Sequence, residues 1–429
     1  MKYSILTLGC KVNQYETQAM EALLREHGHE SAAPGEIADA VLVNTCAVTA
    51  ESGRKSRQAL RRLRDENPGA VLAVCGCYAQ LSPESVRELG AQVIFGTGDH
   101  LRLVEALERA VEGGEGCQSV DDPFRRRDFE QLPAGAVAGR TRAMLKIQDG
   151  CVNFCSYCII PYTRGRLRSL PLSDAARESA RLAALGYREL VLTGIEIASY
   201  GVDLPGRPGL AQVVEAICAA SGDMRIRLGS LEPTVVTEDF CRRLAQTGKL
   251  CRHFHLSLQS GCDRTLKAMN RKYDTARFYE SVELLRRYFP GCGITGDLIT
   301  GFPGETEQDH AETLAFIERC GFSDLHVFPY SRRPGTPADK LPEQCPNKVK
   351  AARAHEAQKT ADACRDAYLQ QQLGQTLPVL FESEEDAGCL GHSDSYLLVR
   401  VPEHGLRGQL RRVRVTGREG ELLTGESIS

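Results

Sequence analysis

Short apolar runs alternate, through the first 112 residues, with longer stretches whose apolar residues recur every three or four positions. The short runs, at 3–8, 40–44, 71–74 and 93–95, read as strands. Between the first two, Tyr15, Ala19, Leu23 and Leu24 fall on one helical stripe. Asn13 opens that helix, with Glu16 three residues on as in a capping box, and Gly28 closes it. A polar, Arg-rich helix is expected from about Thr49. Ser82-Pro83 marks another start, with Ser as the cap and Pro in the first position. Leu101, Leu103, Val104 and Leu107 form a further stripe. Repeated β-α units predict a doubly wound α/β domain built on a parallel sheet.

The pattern breaks over residues 113–140, where Gly113-Gly114-Glu115-Gly116 and Asp121-Asp122-Pro123 suggest a linker. The basic run Phe124-Arg125-Arg126-Arg127 inside it reads as a solvated turn or a phosphate contact. Alternation then resumes. Strands are expected at 143–147, 189–193, 225–230, 253–258, 293–299 and 324–329, with helices at 175–185, 213–220, 239–246, 275–288 and 307–320. Six such units predict a partial barrel whose functional residues lie at the carboxyl ends of the strands. A charged, amphipathic helix at 348–373 leads to a tail of different character. Short β-like runs at 376–381, 396–401, 409–415 and 422–427, with turns at Gly388, Gly391, Gly405 and Gly417, predict a small antiparallel β-barrel. The expected domains are therefore 1–112, a linker at 113–140, 141–372 and 373–429.

Composition changes this picture little, except through cysteine. The 429 residues are 42% hydrophobic and 25% charged, with a net charge of −3, so a nucleic-acid surface has to be a local patch. Arg407, Arg411, Arg412, Arg414 and Arg418 form such a patch in the tail, with no acidic residue among them. No apolar run reaches the roughly 18 residues of a membrane span, and none near the start matches a signal sequence. With 17 cysteines, the expected setting is a reducing cytoplasm where clustered thiols hold metal.

The cluster that stands out is Gly150-Cys151-Val152-Asn153-Phe154-Cys155-Ser156-Tyr157-Cys158. Four thiolates usually complete a [4Fe–4S] centre. Three on one short loop leave an iron open, which suits catalysis better than structure. A zinc knuckle would bring a fourth Cys or His close by, and none is near. The loop resembles the signature of the radical S-adenosylmethionine (SAM) enzymes. That resemblance implies that Cys151, Cys155 and Cys158 hold a cluster whose open iron binds SAM, and that one electron cleaves SAM to a 5′-deoxyadenosyl radical.

Three more cysteines fall at predicted strand ends: Cys10, Cys46, and Cys75 or Cys77. Gly9-Cys10-Lys11-Val12-Asn13-Gln14, Asn44-Thr45-Cys46 and Gly76-Cys77-Tyr78-Ala79-Gln80 resemble the amino-terminal domain of the methylthiotransferases, a radical SAM subfamily. The resemblance extends to the tail, which is similar to a TRAM domain. It implies a second [4Fe–4S] cluster on Cys10, Cys46 and Cys77, with Cys75 a bystander. It also implies SAM contacts from strand-end motifs: Gly194 and Glu196 near the methionyl part, Ser230 and Glu232 near the ribose or amine, and Gly301 near the adenine. In this family a C–H bond becomes C–S–CH3 at the expense of two SAM, with an electron donor and a sulfur donor as further partners. The Cys10 segment resembles the subgroup acting on N6-threonylcarbamoyladenosine at position 37 of tRNA. The alternatives are isopentenyladenosine in tRNA and an aspartate of a ribosomal protein. The substrate's carboxylate calls for an arginine, and Arg332 or Arg333 is the expected candidate.

Overall fold

The computed structural model describes residues 1–133 and 141–428. They form two compact units: Met1–Ala138 with Lys146–Leu170 and Ser331–Asp339, and Gly139–Leu145 with Pro171–Tyr330 and Lys340–Ser429.

The first unit is built on a six-stranded parallel sheet. Its spatial order is Glu30–Ser31, Lys2–Thr7, Ala40–Thr45, Val71–Gly76, Val93–Phe95 and Cys117–Ser119. Side chains alternate between its faces. Tyr3, Leu42, Ala73, Cys75 and Phe95 pack with Met20, Leu24, Leu103 and Leu107 of two helices. Val41, Val43, Leu72 and Val74 pack on the other side with Leu60, Leu63 and Val86. Each fully buried Leu or Val is worth about 1.5–3 kcal/mol, so both faces of the sheet contribute to the core.

Three features depart from expectation. The sixth strand lies within the stretch expected as linker: Cys117, Gln118 and Ser119 pair with Val93, Ile94 and Phe95. Three residues of mixed polarity carry no period. The rest of that stretch, 134–140, lies outside the described residues. The first helix runs Lys11–Glu26, with Cys10 at its cap and no side-chain capping bond. Asn13 and Glu16 are buried instead, inside the helix, and their bonds go elsewhere. In the basic run, Arg125 and Arg127 are exposed as a solvated turn would have them, but Arg126 turns inward and donates to Asp121, to Thr97 Oγ1 at 2.8 Å and to Gln80 Oε1 at 3.0 Å.

In the second unit, Glu189–Gly194 and Arg225–Leu228 pair in parallel, as do His253–Gln259, Gly293–Thr300 and Asp324–Pro329. Single parallel bridges, Ile226 to Leu250 and Leu231 to Leu256, join the two groups. Helices fill the intervals, and two of them, Thr275–Tyr288 and Glu307–Cys320, match the expected limits. In chain order the strand Arg142–Asp149 precedes this parallel-stranded α/β core, and in the sheet order it stands next to Glu189–Gly194. The long helix is Asn347–Gln371. It buries Lys350 and Arg353 as well as Ala357, Ala361 and Leu369, so its inner face is not a simple apolar stripe.

The tail closes into a barrel of Thr376–Glu385, Gly388–Ser393, Leu398–Val401, Leu410–Glu419 and Leu422–Ile428. It is antiparallel apart from one parallel pairing, Val399 with Leu423. The second strand occupies a Gly-rich stretch expected to turn. Buried arginines fasten this barrel to the starts of the parallel strands. Glu189 accepts from Arg225 at 2.6 Å and Arg227 at 2.7 Å. The same two guanidiniums donate to the carbonyls of Pro378, His392, Ser393 and Asp394 at 2.9–3.1 Å. Arg227 also lies 4.8 Å from the ring centre of Tyr396. The carboxyl ends of the strands, where Gly194 and Gln259 lie, are thus turned away from the small barrel.

Candidate active site

In the first unit, the cysteine loop follows the strand that ends at Asp149. Gly150 starts it at φ +76°, where a Cβ would lie 1.8 Å from the Arg166 carbonyl oxygen, so only glycine fits the turn. The Cys151 N–H donates to the Gly165 carbonyl at 3.0 Å, and the Cys158 N–H to that of Cys155 at 2.9 Å. The loop has no regular secondary structure between residues 151 and 158 except a turn. Cys155 is buried, with Cys151 and Cys158 partly exposed. Three thiols on one irregular loop, two reachable from outside, suit a cubane with one open corner. Phe154 beside them is exposed and faces Phe124 and Tyr162, with ring centres 6.4 and 5.9 Å away.

The second set of cysteines sits at the carboxyl ends of the sheet strands, where open α/β sheets gather functional groups. Gly9 brings the Cys10 and Cys46 segments together: a Cβ on it would lie 2.9 Å from Cys46 Cβ and 3.1 Å from its sulfur, at φ +112°. Burial pushes the Cys46 thiol up, and its neighbour Cys77 adds to that push, as Cys10 does for Cys77. Cys75 points the other way, into the core beside Ala73 and Phe95. Burial pushes the Cys77 thiol up, and Arg164 pulls it back.

Arg164 belongs to a buried ionic network beneath these cysteines. It donates to Glu16 Oε2 and Asn13 Oδ1, both at 3.0 Å, and it is fully buried. Lys146 bridges Glu16 and Asp149 at 3.2 Å each, and Arg168 approaches Asp149 at 3.4 Å. Burial would raise the Glu16 carboxyl, yet Arg164 and Lys146 hold it below its ordinary value. Asn13 ties the network to the cysteine strands, donating to the carbonyls of Leu8 at 2.9 Å and Thr45 at 3.0 Å. The Cys10 thiol donates to Asn13 Oδ1 at 3.5 Å. Nothing in the hydrophobic pattern marks Lys146, Asp149 and Arg164 as partners of Glu16. The available signal was Lys146, a charge inside the strand expected at 143–147.

In the second unit, Glu196 and Glu232 come together at the ends of their strands. Burial, then the Glu232 charge, pushes Glu196 up to about 7, with Arg271 opposing. Arg271 lies 3.9 Å from Glu232 and 4.8 Å from the Tyr273 ring centre, and the sequence motifs do not include it. Gly194 is partly buried and Ser230 exposed. Gly301 has a packing duty: a Cβ there would meet Lys350 Cγ at 2.5 Å. Its N–H donates to Glu305 Oε1 at 3.0 Å.

The tail arginines lie on the outside of the small barrel. Arg412 and Arg414 alternate with buried Val413 and Val415 on the strand Leu410–Glu419. Arg411 donates to Gln409 Oε1 at 2.7 and 2.9 Å, and Arg418 to Asp366 at 3.0 Å. Arg407 is exposed on the preceding loop. Among the described residues, no helix is long and apolar enough to cross a membrane.

Comparison with known proteins bears on both halves of the chain. Residues 145–317 match the radical SAM superfamily, and residues 2–96 match the uncharacterized protein family UPF0004. The chain is 38% identical to the threonylcarbamoyladenosine tRNA methylthiotransferase MtaB of Bacillus subtilis, over 92% of this chain and 88% of that protein. It is 35% identical to MtaB of Thermotoga maritima over 96% and 93%. It is also 33% identical to the tRNA-2-methylthio-N(6)-dimethylallyladenosine synthase of Pelotomaculum thermopropionicum over 99% and 97%. Among solved structures, the radical SAM methyltransferase TsrM of Kitasatospora setae superposes with a TM-score of 0.57 at 15% identity. That match covers 90% of this chain and 79% of TsrM, a likeness of fold.

Proposed function

Because this chain belongs to the tRNA methylthiotransferase family of radical SAM enzymes, we propose that it methylthiolates N6-threonylcarbamoyladenosine at position 37 of tRNA. The observation that carries the substrate is the run of relatives bearing that name over nearly the whole chain. A dimethylallyladenosine synthase matches at slightly lower identity, which keeps isopentenyladenosine as the second reading.

A radical SAM chain uses SAM and a [4Fe–4S] cluster. We assign that cluster to Cys151, Cys155 and Cys158, and a second to Cys10, Cys46 and Cys77. When bound, the clusters and SAM supply the carbon radical that takes hydrogen from the base, and the sulfur and methyl that replace it. The residues of this chain hold and orient. Gly150 and the backbone bonds of the cysteine loop fix the thiols. The buried Arg164 offsets negative charge at Cys10 and Cys77, and Asn13 braces their strands. Glu196 and Glu232 accept from the ammonium and ribose of SAM, with Gly194, Ser230 and Gly301 near it. Of the five tail arginines, Arg412 and Arg414 are best presented for tRNA phosphates. Arg407, Arg411 and Arg418 extend that face, inside a TRAM-like domain spanning 373–429. Domains of 1–112 and 141–372 carry the two clusters. An electron donor and a sulfur donor complete the set of partners, and the tRNA pool implies a cytoplasmic site of action. Mass spectrometry of tRNA nucleosides from cells with and without the gene tests this. The 2-methylthio form of threonylcarbamoyladenosine should vanish without it, and its persistence would reject the proposal.

A further inference from the structure

Beside the strand-end cysteines, the first unit contains a cavity of about 460 Å³ lined by Arg57, Tyr78, Ile159, Tyr162, Arg333 and Gly335, among others. Two guanidiniums converge in it over Gly53. A methyl on that glycine would lie 3.6 Å from Arg333 Nη1 and 3.7 Å from Arg57 Nη1. Arg57 donates to the Tyr78 hydroxyl at 3.3 Å. Arg333 has a buried Nε with no acceptor. Among the described residues, neither arginine forms an ion pair with a carboxylate. Most arginines here do, including the neighbouring Arg332, which pairs with Asp339 at 2.6 Å. Two converging cations without an anion repel each other, so the arrangement is completed by an anion that enters.

The segment bearing Arg333 is held in place. The Ala50 N–H donates to Ser331 Oγ at 3.2 Å, and the Ala338 N–H to the Ser156 carbonyl at 2.7 Å. Thr336 Oγ1 donates to the Arg333 carbonyl at 2.7 Å. Tyr78, which lines the cavity, directly follows Cys77. The cavity therefore adjoins the cysteines assigned to sulfur delivery. Ile159 and the Tyr162 ring add apolar wall.

Resting on the substrate reading above, we propose that Arg57 and Arg333 form the specificity pocket that receives the carboxylate of the threonylcarbamoyl group. The chemistry of the base places it here. C2, which gains sulfur, and C6, whose amine carries the threonylcarbamoyl group, flank the same ring nitrogen. With bond lengths near 1.3–1.5 Å, the carboxylate lies within roughly 8 Å of the reacting carbon. A carboxylate reader must then sit next to the sulfur-bearing cysteines, as this pair does. An isopentenyl group has no charge to offer it. Arg332, already paired, is excluded from the role.

The test uses three anticodon stem–loop RNAs, bearing threonylcarbamoyladenosine, its neutral carboxamide and isopentenyladenosine. Reconstituted holoenzyme is assayed anaerobically for binding, by fluorescence anisotropy, and for methylthiolation, by mass spectrometry. The native protein should bind the acid about tenfold or more tightly than the amide, as expected for charge-assisted bonds. Arg57→Gln and Arg333→Gln should each erase most of that preference by weakening the acid RNA alone, with iron content unchanged. A preference that survives both changes overturns the pocket while leaving the substrate reading intact. So does iron lost from Arg333→Gln with the preference intact in Arg57→Gln, which would make Arg333 a counter-charge for the cluster. A native protein that methylthiolates only isopentenyladenosine RNA overturns the substrate reading, and the pocket with it.

Discussion

Replacing Glu232 by Gln removes the negative charge beside Glu196. In the native chain, burial and then Glu232 push Glu196 up to about 7 from an ordinary 4.5. Such a shift corresponds to roughly 3 kcal/mol against the ionised form, less what water screens at this partly exposed side chain. A carboxyl raised in the fold stabilises it at low pH, and that contribution is lost as pH rises through the raised value. SAM binding runs the other way. To accept from the SAM ammonium, Glu196 must be ionised, so affinity is full above about pH 7 and falls about tenfold per unit below it. Native holoprotein should therefore bind SAM about tenfold more weakly at pH 6 than on its alkaline plateau. Glu232→Gln should move the break toward acid, because burial alone then holds the proton. Equilibrium SAM binding across the pH range, under anaerobic conditions, reads the midpoint of the break even where the substitution also lowers the plateau affinity. A break at the same pH in both proteins, or an affinity flat from acid to neutral pH, refutes the assignment of Glu196.

Changing Cys151, Cys155 and Cys158 together to Ala should leave one of two [4Fe–4S] centres by iron analysis, and loss of both would show that the sites depend on each other. Cys75→Ala should leave iron unchanged whereas Cys77→Ala should not; the reverse would reassign the third ligand. Arg164→Met leaves Glu16 buried with Lys146 and the more distant His100 as its remaining cations, and should cost about 3–5 kcal/mol, read as lost hydrogen-exchange protection along Lys11–Glu26. Unchanged protection would mean the network is dispensable. Replacing Arg411, Arg412 and Arg414 with Ala should weaken tRNA binding and flatten its salt dependence. Unchanged affinity at moderate salt would reduce that strand to a solvated face.

What the sequence disclosed followed the physics of each signal. The continuous apolar run Val93–Phe95 and the helical stripe of Thr275–Tyr288 are open signals, and both lie where the pattern puts them. The edge strand Cys117–Ser119 has three residues and no period, and the strand from Gly388 begins with residues that favour turns. Cys151, Cys155 and Cys158 are legible because one loop holds all three. Cys10, Cys46 and Cys77 are far apart in sequence; their strand-end positions and the family resemblance named them, and the fold adds the close approach of Gly9 to Cys46. Glu16 looked like half of a capping box because a local bond is the simplest explanation for Glu three residues past Asn. Its partners Lys146 and Arg164 lie more than a hundred residues away, where no local rule reaches. The separation of Arg333 from Arg332 is likewise invisible in sequence, since it turns on which of two adjacent guanidiniums Asp339 neutralises.

The most direct test of the central claim is anaerobic turnover of two tRNAs by the reconstituted protein with SAM and a reductant. One tRNA carries threonylcarbamoyladenosine at position 37 and the other isopentenyladenosine. Methylthiolation at C2 of the threonylcarbamoyl base, with the isopentenyl tRNA unchanged, is the predicted result. Methylthiolation of the isopentenyl tRNA alone would contradict the substrate, and reaction of neither tRNA, with a ribosomal protein modified instead, would contradict the assignment of RNA as the substrate.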